Sequence, residues 1–422
     1  MTFNRTPIHI TEAVTRVIKN TSKTEVETVH YLDSYGKYLA EDLYANDDLP
    51  MFNKSAMDGF AICAKDSEGA SGDNRIAFKV VEEVPAGTTS DYKLQPNEAF
   101  RIMTGAEIPA SADAVVMFEQ AKEDGDTFTV RKTFKPFDNI ALKGEEVKTG
   151  DLIVPKGTLI NPGVIANLAT FGHSSVKVHR TPRVAIMSTG SELVDVDQPV
   201  ERGKIRNSNT PMIVSQLKRI GIEAEVHTFK TDQLDVIIPL FEQMLKEVDV
   251  IITTGGVSVG DYDLLPKVYE YFKADVLFNK VAMRPGSVTT VAKLKRTLLF
   301  GLSGNPSACY SGFELFVRPS IRFMMGGNDI YAPLIQATLE EDFTKPNPFT
   351  RFIRAEVRYT GKEVYASPSG FNKSNAVTSI ARSNGVIVLP SGSRGFKTGD
   401  AVHVMLTDVT SGVNEFLIDE DF

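Results

Sequence analysis

Between Thr181 and about Gly326 the chain repeats one pattern: an apolar run, a glycine turn, and a segment of helical period. "RVAIMSTG" reads as a buried strand, and "NSNTPMIVSQLKRIG" as a helix with Asn209 or Thr210 as N-cap, Pro211 early and Gly221 as the stop. "AEVHTF" and "LDVIIPLFEQMLKE" give a second strand and helix, and "VDVIITTGG" gives a third strand. Leu265, Val268, Tyr269 and Phe272 form the stripe of a further helix, and "TLLFGLSGNPSACYSGFELFV" repeats strand, loop and helix again. Such alternation restricts this region to an open α/β layer fold.

The flanks differ. Thr11 is placed to cap a first helix with Glu12 in its first turn and Ala13, Val14, Val17 and Ile18 on one face. From about Leu49 short β-rich runs follow, with turn signals at Asp58-Gly59, Ala86-Gly87, Gly125-Asp126 and Gly150-Asp151. Beyond Pro333, "RFIRAEVRY", "GVIVLPSG" and "DAVHVMLT" predict a small β-barrel. At 422 residues the chain exceeds one core, and about three or four domains are expected.

With 42% hydrophobic and 24% charged residues, nothing in the composition predicts a long disordered tail. Neither a signal peptide nor a membrane span is expected, and Cys63 and Cys309 stand outside any CxxC spacing, so a cytoplasmic protein is the expectation. A net charge of −8 argues against nucleic acid as a partner, because that requires a dominant basic surface. A locally bound small anion remains compatible with it.

Ligands of open α/β sheets bind beyond the carboxyl ends of the strands. Three loops fall there: "STGSEL", "TTGGVSVGDYD" and "GLSGNP", bringing Thr189, Gly190, Gly255, Gly256, Ser258, Gly260, Ser303, Gly304 and Asn305 as phosphate-binding candidates. The same loops carry acids that would repel a phosphate: Glu192, Asp261 and Asp263, with Asp232 after "AEVHTF". A hard divalent cation such as Mg2+ reconciles them, since it binds one or two carboxylates together with phosphate oxygens. Asp263 and Asp232 serve equally well as helix caps. "NKVAMRPGSV" places Lys280 and Arg284 four residues apart, as anion ligands or as solvated ends of a strand. The six histidines form no metal-spaced cluster, and neither a nucleophile elbow nor a Walker loop occurs. In the β-rich region, Asp58 of "NKSAMDGFAI" and Thr104 of "FRIMTGAEIPASADAVVMFE" read as ordinary turn residues, Asp-Gly being a hairpin signal.

In this order, "NKSAMDGFAI", "RIMTGAEIPASADAVV", "STGSELV", "TTGGVSVGDYD" and "GLSGNP" resemble the molybdopterin molybdenumtransferase family, bacterial counterparts of the gephyrin E domain. The resemblance implies an elongated homodimer of four domains per chain: 1–27 with 147–181, a β-rich insertion 28–146, an α/β domain 182–330 and a β-barrel 331–422. It also implies insertion of molybdenum from molybdate into adenylyl-molybdopterin, with Mg2+-dependent release of AMP. Asp58 and Thr104 would then belong to the face of the insertion that meets the α/β domain of the other subunit. Glu192, Asp232 and Asp261 or Asp263 would form the acidic part of the site, with Asp232, Asp261 and Asp263 as metal ligands. Lys280 and Arg284 match two basic positions, and Ser374 falls where the family has a functional serine.

The chain departs from the family pattern at several positions. Ser287 stands in place of a second lysine in "RPGSV", Glu146 in place of an aspartate, and Ser303 in place of a proline. "SGFNKSNAVTS" lacks the usual glutamine, and Lys373 supplies a charge there. The implied partners are the molybdopterin adenylyltransferase and apo-molybdoenzymes, with no nucleic acid and no membrane. Two other functions are consistent with the same motifs: adenylation of molybdopterin, and a gephyrin-like peptide-binding scaffold.

Overall fold

The structure is a computed structural model describing residues 6–229, 233–255, 264–360 and 363–407. It divides into two compact units: Asp42–Val154 with Asn167–Gly172, and the remaining described residues.

The first of these is β-dominated, as its turn-rich sequence suggests. Its six-stranded sheet runs in the order Ala114–Met117, Gly59–Ile62, Glu98–Ile102, Ile76–Val84, Thr127–Val130, Ala121–Asp124. Alternate residues of the strand Gly59–Ile62 serve two cores. Phe60 and Ile62 join Phe78, Phe128 and Val130, while Ala61 joins Phe100, Ile102 and Val115. The ring of Phe60 stacks on Phe128 at 3.9 Å. Asp58-Gly59 is therefore no hairpin turn. Gly59 opens a strand so close to its neighbour that an added Cβ would stand 2.0 Å from the Val116 carbonyl oxygen.

The larger unit begins with helix Ile10–Asn20, whose Ile10, Ala13, Val14 and Val17 are buried. His9, not Thr11, occupies its N-cap, its ring accepting from the Thr11 N–H at 3.4 Å. Strand Val26–His30 pairs antiparallel with Ser175–His179. The central sheet runs Ala224–Phe229, Val184–Thr189, Val250–Thr254, Thr297–Leu302, Thr290–Leu294, Asp275–Phe278. Its first four strands are parallel and its last two antiparallel.

The near-continuous apolar strands are explained by burial on both faces. Val184, Ile186, Val250, Ile252, Leu298 and Phe300 face one core, with Ile213 and Leu217 of helix Asn209–Arg219 and the stripe of the first helix. Ala185, Met187, Ile251 and Leu299 face the other, under Ile237, Phe241 and Met244 of helix Leu234–Glu247 and Leu265, Val268 and Tyr269 of helix Leu264–Tyr271. Each large aliphatic side chain so buried contributes about 1.5–3 kcal/mol.

At the C-terminal end five strands close a barrel: Leu334–Leu339, Glu363–Pro368, Thr350–Thr360, Gly385–Leu389 and Ala401–Leu406, the last pairing back with the first. Leu339, Ile353, Val357, Ile387, Leu389 and Val404 fill its interior. Phe352, Val386, Val388 and Met405 join the α/β core instead. Strand Met283–Arg284 pairs with Thr350–Arg351, setting Arg284 beside Arg351. The expected combination of a β-rich insertion, an open α/β domain and a C-terminal barrel is borne out. Among the described residues, no helix is long and apolar enough to cross a membrane.

Candidate functional site

From strand Val184–Thr189 the chain moves to Ala224–Phe229 on one side and then to Val250–Thr254 on the other. That reversal opens a crevice beyond the carboxyl ends of the strands, where ligands of such sheets bind. The described parts of the three glycine loops meet there. The Gly255 N–H donates to the Leu302 carbonyl at 3.2 Å, and the Gly190 N–H to the Phe229 carbonyl at 3.3 Å. Gly255 has φ +84°; a Cβ on it would touch the Thr189 carbonyl oxygen at 3.4 Å, and one on Gly304 would stand 3.6 Å from the Gly255 Cα. Glycine is thus favoured at 255 by its left-handed backbone, while at 304 the approach is an ordinary contact that places the third loop against the second.

Short polar side chains fix this edge. Asn207 Nδ2 donates to Ser188 Oγ at 3.1 Å and to Thr210 Oγ1 at 2.9 Å, while Asn207 Oδ1 accepts from the Thr210 N–H at 3.2 Å. The N-cap position of helix Asn209–Arg219 is therefore Ser208, not Asn209 or Thr210; Ser208 makes no side-chain cap bond, and Asn207 just before it satisfies the Thr210 N–H instead. Asn209, buried, instead turns Nδ2 to the Gly304 carbonyl at 2.9 Å, and its Oδ1 has no hydrogen-bond partner. Glu192 is exposed and folds back over Gly190, its Oε2 lying 2.5 Å from where a Cβ on that glycine would be. Asp232, Gly256, Ser258, Gly260, Asp261 and Asp263 lie outside the described residues. Among the described residues, no three His, Cys, Asp or Glu side chains group as a metal-holding set.

Ser303 and Asn305 also line a cavity of about 570 Å3, together with Arg284 and Ser374. Lys345, Arg351, Arg354 and Lys373 join them, giving five cations, and among the described residues no carboxylate lines this space. Four of the five are braced. Arg284 lies over Phe349, Arg351 over Phe343 and Lys373 over Phe371. Arg351 Nε donates to Asn347 Oδ1 at 2.7 Å. Burial, and then the neighbouring Arg284 charge, hold the Arg351 guanidinium below its ordinary value. Arg354 is almost wholly buried, and this burial likewise lowers its pKa.

Arg354 also organises the loop that carries Ser374. Its Nε donates to Ser379 Oγ at 2.9 Å, and its Nη2 to Asn372 Oδ1 at 3.1 Å and the Phe371 carbonyl at 3.3 Å. Ser307 fastens the same loop from the other side, its N–H donating to the Ser374 carbonyl at 3.1 Å and its Oγ to the Ala376 carbonyl at 2.6 Å.

Of the two basic candidates in "NKVAMRPGSV", Arg284 lines the cavity and Lys280 does not. Lys280 is half-buried between strands, its carbonyl accepting from the Ile8 N–H at 3.2 Å. In the smaller unit, Asp58 and Thr104 come together across 46 residues of sequence. Asp58 Oδ1 accepts from the Thr104 N–H at 2.6 Å and from Thr104 Oγ1 at 2.8 Å. The N–H, then the hydroxyl, hold the Asp58 carboxyl below the usual carboxylate range. Lys345, Arg351, Arg354 and Asn209 are the residues that sequence reasoning passed over as ligands. The spacing of Arg351 and Arg354 in "RFIRAEVRY" shows only a strand, and the cavity arises from barrel closure.

Three family models match in succession: MoeA N-terminal region (domain I and II) over residues 8–172, probable molybdopterin binding domain over 185–322, and MoeA C-terminal region (domain IV) over 336–407. The molybdopterin molybdenumtransferase of Staphylococcus aureus strain COL is 53% identical over 414 residues, covering 98% of this chain and 99% of its own. One from Staphylococcus epidermidis is 52% identical with the same coverage. A crystal structure of the molybdopterin biosynthesis moeA protein from Pyrococcus horikoshii OT3 superposes with a TM-score of 0.81 at 28% identity, covering 95% of this chain and all of that one. Domain by domain and along nearly its whole length, the chain belongs to the molybdopterin molybdenumtransferase family.

Proposed function

We infer that this chain performs molybdenum insertion in molybdenum cofactor biosynthesis, as its relatives are named for, with molybdate and adenylyl-molybdopterin as substrates. The observation that carries the reading is the cavity lined by five cations, which shares Ser303 and Asn305 with the crevice at the strand ends and has no carboxylate among its described lining residues. Molybdate is a dianion. In a chain of net charge −8, a pocket of guanidinium and ammonium groups is where it concentrates. Arg284, Arg351 and Lys373 hold its oxygens by charge-assisted hydrogen bonds, Ser374 adds a hydroxyl donor, and Lys280 raises the local potential.

The phosphate side of the pterin lies along the strand ends, against Thr189, Gly190, Gly255, Gly256, Ser258, Gly260, Ser303, Gly304 and Asn305, where backbone N–H groups and hydroxyls accept an anion. The metal-capable groups described in these loops are oxygens, from the Glu192 carboxylate to the Ser303 hydroxyl, and the buried Asn209 Oδ1 beside Gly304 adds another. That set fits Mg2+, with Glu192, Asp232, Asp261 and Asp263 as its carboxylates. Bound there, Mg2+ would neutralise charge on the phosphate anhydride.

In the reaction, the two dithiolene sulfurs bond to molybdenum and one molybdate oxygen leaves as water, taking up the two thiol protons. A further water adds across the anhydride, releasing AMP. Glu192 is placed to orient that water, and Arg284 and Arg351 to hold molybdate while the sulfurs attack.

In a homodimer the Asp58–Thr104 pair acts in the site of a second copy. The reaction belongs in the cytoplasm, between an adenylyltransferase that supplies the substrate and apo-molybdoenzymes that take the product. Purified protein given adenylyl-molybdopterin, molybdate and Mg2+ should release AMP and form molybdenum cofactor in equal amounts. Folded protein that does neither, or that instead consumes ATP with free molybdopterin, would overturn the reading.

A further inference from the structure

The larger unit contains a second cavity, of about 430 Å3, that shares no residue with the cationic one. Tyr35, Tyr38 and Ile160 contribute apolar surface to it, and Lys218, Arg219 and Arg322 contribute charge. Among the described residues, no carboxylate lines it. Lys218 and Arg219 end the helix Asn209–Arg219, and Arg322 belongs to the helix Arg318–Met324.

Behind this lining stands a single buried acid, Glu314. It accepts from Gln216 Nε2 at 2.8 Å, from Arg318 Nη1 at 3.0 Å and from Arg219 Nη2. One carboxylate thus faces the charges of Arg219, Arg318 and Arg322, the last two fully buried. Burial first, and then the Arg318 charge, push the Arg322 pKa down to about 10, with Glu314 and Tyr38 opposing. Asp329 is the further acid nearby, and it acts on Tyr38. The Arg219 Nε is buried and has no hydrogen-bond partner. A surplus of buried positive charge with an unsatisfied donor is costly unless an anion completes it.

We propose that this cavity binds a phosphate monoester carried on a flat ring, with the phosphate against Lys218, Arg219 and Arg322 and the ring against Tyr35 and Tyr38. Three cations in one lining match a dianion better than a monocarboxylate, and guanidinium geometry suits phosphate oxygens. Tyrosine faces give the ring a flat apolar contact. The volume falls in the range of small-molecule sites, roughly 300–1,000 Å3.

Phenyl phosphate is the simplest probe, titrated calorimetrically into the full-length protein. It should bind, and Lys218→Glu, a change at an exposed lysine, should weaken binding by about tenfold or more while leaving molybdenum transfer intact. Arg219→Lys, which keeps a cation for Glu314, should weaken it less. Arg284→Glu and saturating molybdate, which act at the other cavity, should leave it unchanged. The proposal is overturned by absence of binding at millimolar probe, by equal binding of benzoate, or by loss of binding with Arg284→Glu and not with Lys218→Glu.

Discussion

The crevice at the strand ends and the cationic cavity beside it are built from different materials. The crevice relies on backbone: glycines at Gly190, Gly255 and Gly304 bring three loops into contact, and its charged member, Glu192, is acidic. The cavity relies on long side chains, Arg284, Arg351, Arg354, Lys345 and Lys373, each held by an aromatic face or a hydrogen-bonded partner or walled by the barrel. Backbone N–H groups suit a phosphate that must be positioned within a larger ligand. Charged side-chain heads suit a small free oxyanion that carries its charge on every oxygen.

If that division of labour holds, substitutions in the two regions should separate kinetically. The largest effect is expected from Arg284→Glu, which puts a carboxylate into the cavity proposed for molybdate. Transfer efficiency should fall on the order of 100-fold, mainly through the KM for molybdate, with adenylyl-molybdopterin affinity retained. Glu192→Gln should do the reverse: kcat for AMP release falls about tenfold or more and its Mg2+ requirement shifts upward, while molybdate KM stays near the parent value. An Arg284→Glu enzyme that loses pterin affinity equally would erase the distinction.

A mixed-dimer experiment sharpens it further. Asp58→Asn and Glu192→Gln chains, each with about a tenth of parental activity or less alone, should recover roughly a quarter of parental activity when refolded together if Asp58 serves a second copy's site. No recovery would place both groups in one chain's site.

Smaller effects follow from the supports. Arg354→Met removes the donors held by Ser379, Asn372 and the Phe371 carbonyl, and should cost about 1–3 kcal/mol in urea unfolding while raising molybdate KM through the loosened Ser374 loop. Smallest is Thr104→Val. The folded Asp58 pKa is depressed, so its contribution to stability is present above the ordinary carboxylate value and lost as pH falls through the folded value. The variant loses the hydroxyl and keeps the N–H, so NMR titration should show the Asp58 pKa rising only part of the way toward the ordinary carboxylate value, with a smaller acid-side dependence.

How much of this was legible in the sequence follows from the same contrast. The crevice lies in local signals: a buried strand must end in a turn, the glycine marks it, and three such turns on parallel strands converge by topology. Burial on both faces produced the uninterrupted runs at Val184–Thr189 and Val250–Thr254 that revealed the sheet. The cavity has no local signal. Arg351 and Arg354 occupy a barrel strand, Lys345 the chain before it, and Arg284 a short strand that pairs beside Arg351, so their meeting depends on tertiary closure. Asp58 and Thr104 were legible only through resemblance, since Asp-Gly suggests a turn where the structure has the start of a strand. Lys280 shows the opposite limit: spacing paired it with Arg284, yet the chain between them turns it away from the cavity lining.

The central claim is that oxyanion and pterin phosphate occupy separate, adjoining regions, one lined by guanidinium groups and one by strand-end backbone. Crystals soaked in molybdate and measured at the molybdenum absorption edge test it most directly. The account predicts one dominant anomalous peak among Arg284, Arg351 and Ser374. A peak seated instead on Gly190, Gly255 and Gly304, in crystals of protein active in transfer, would contradict it.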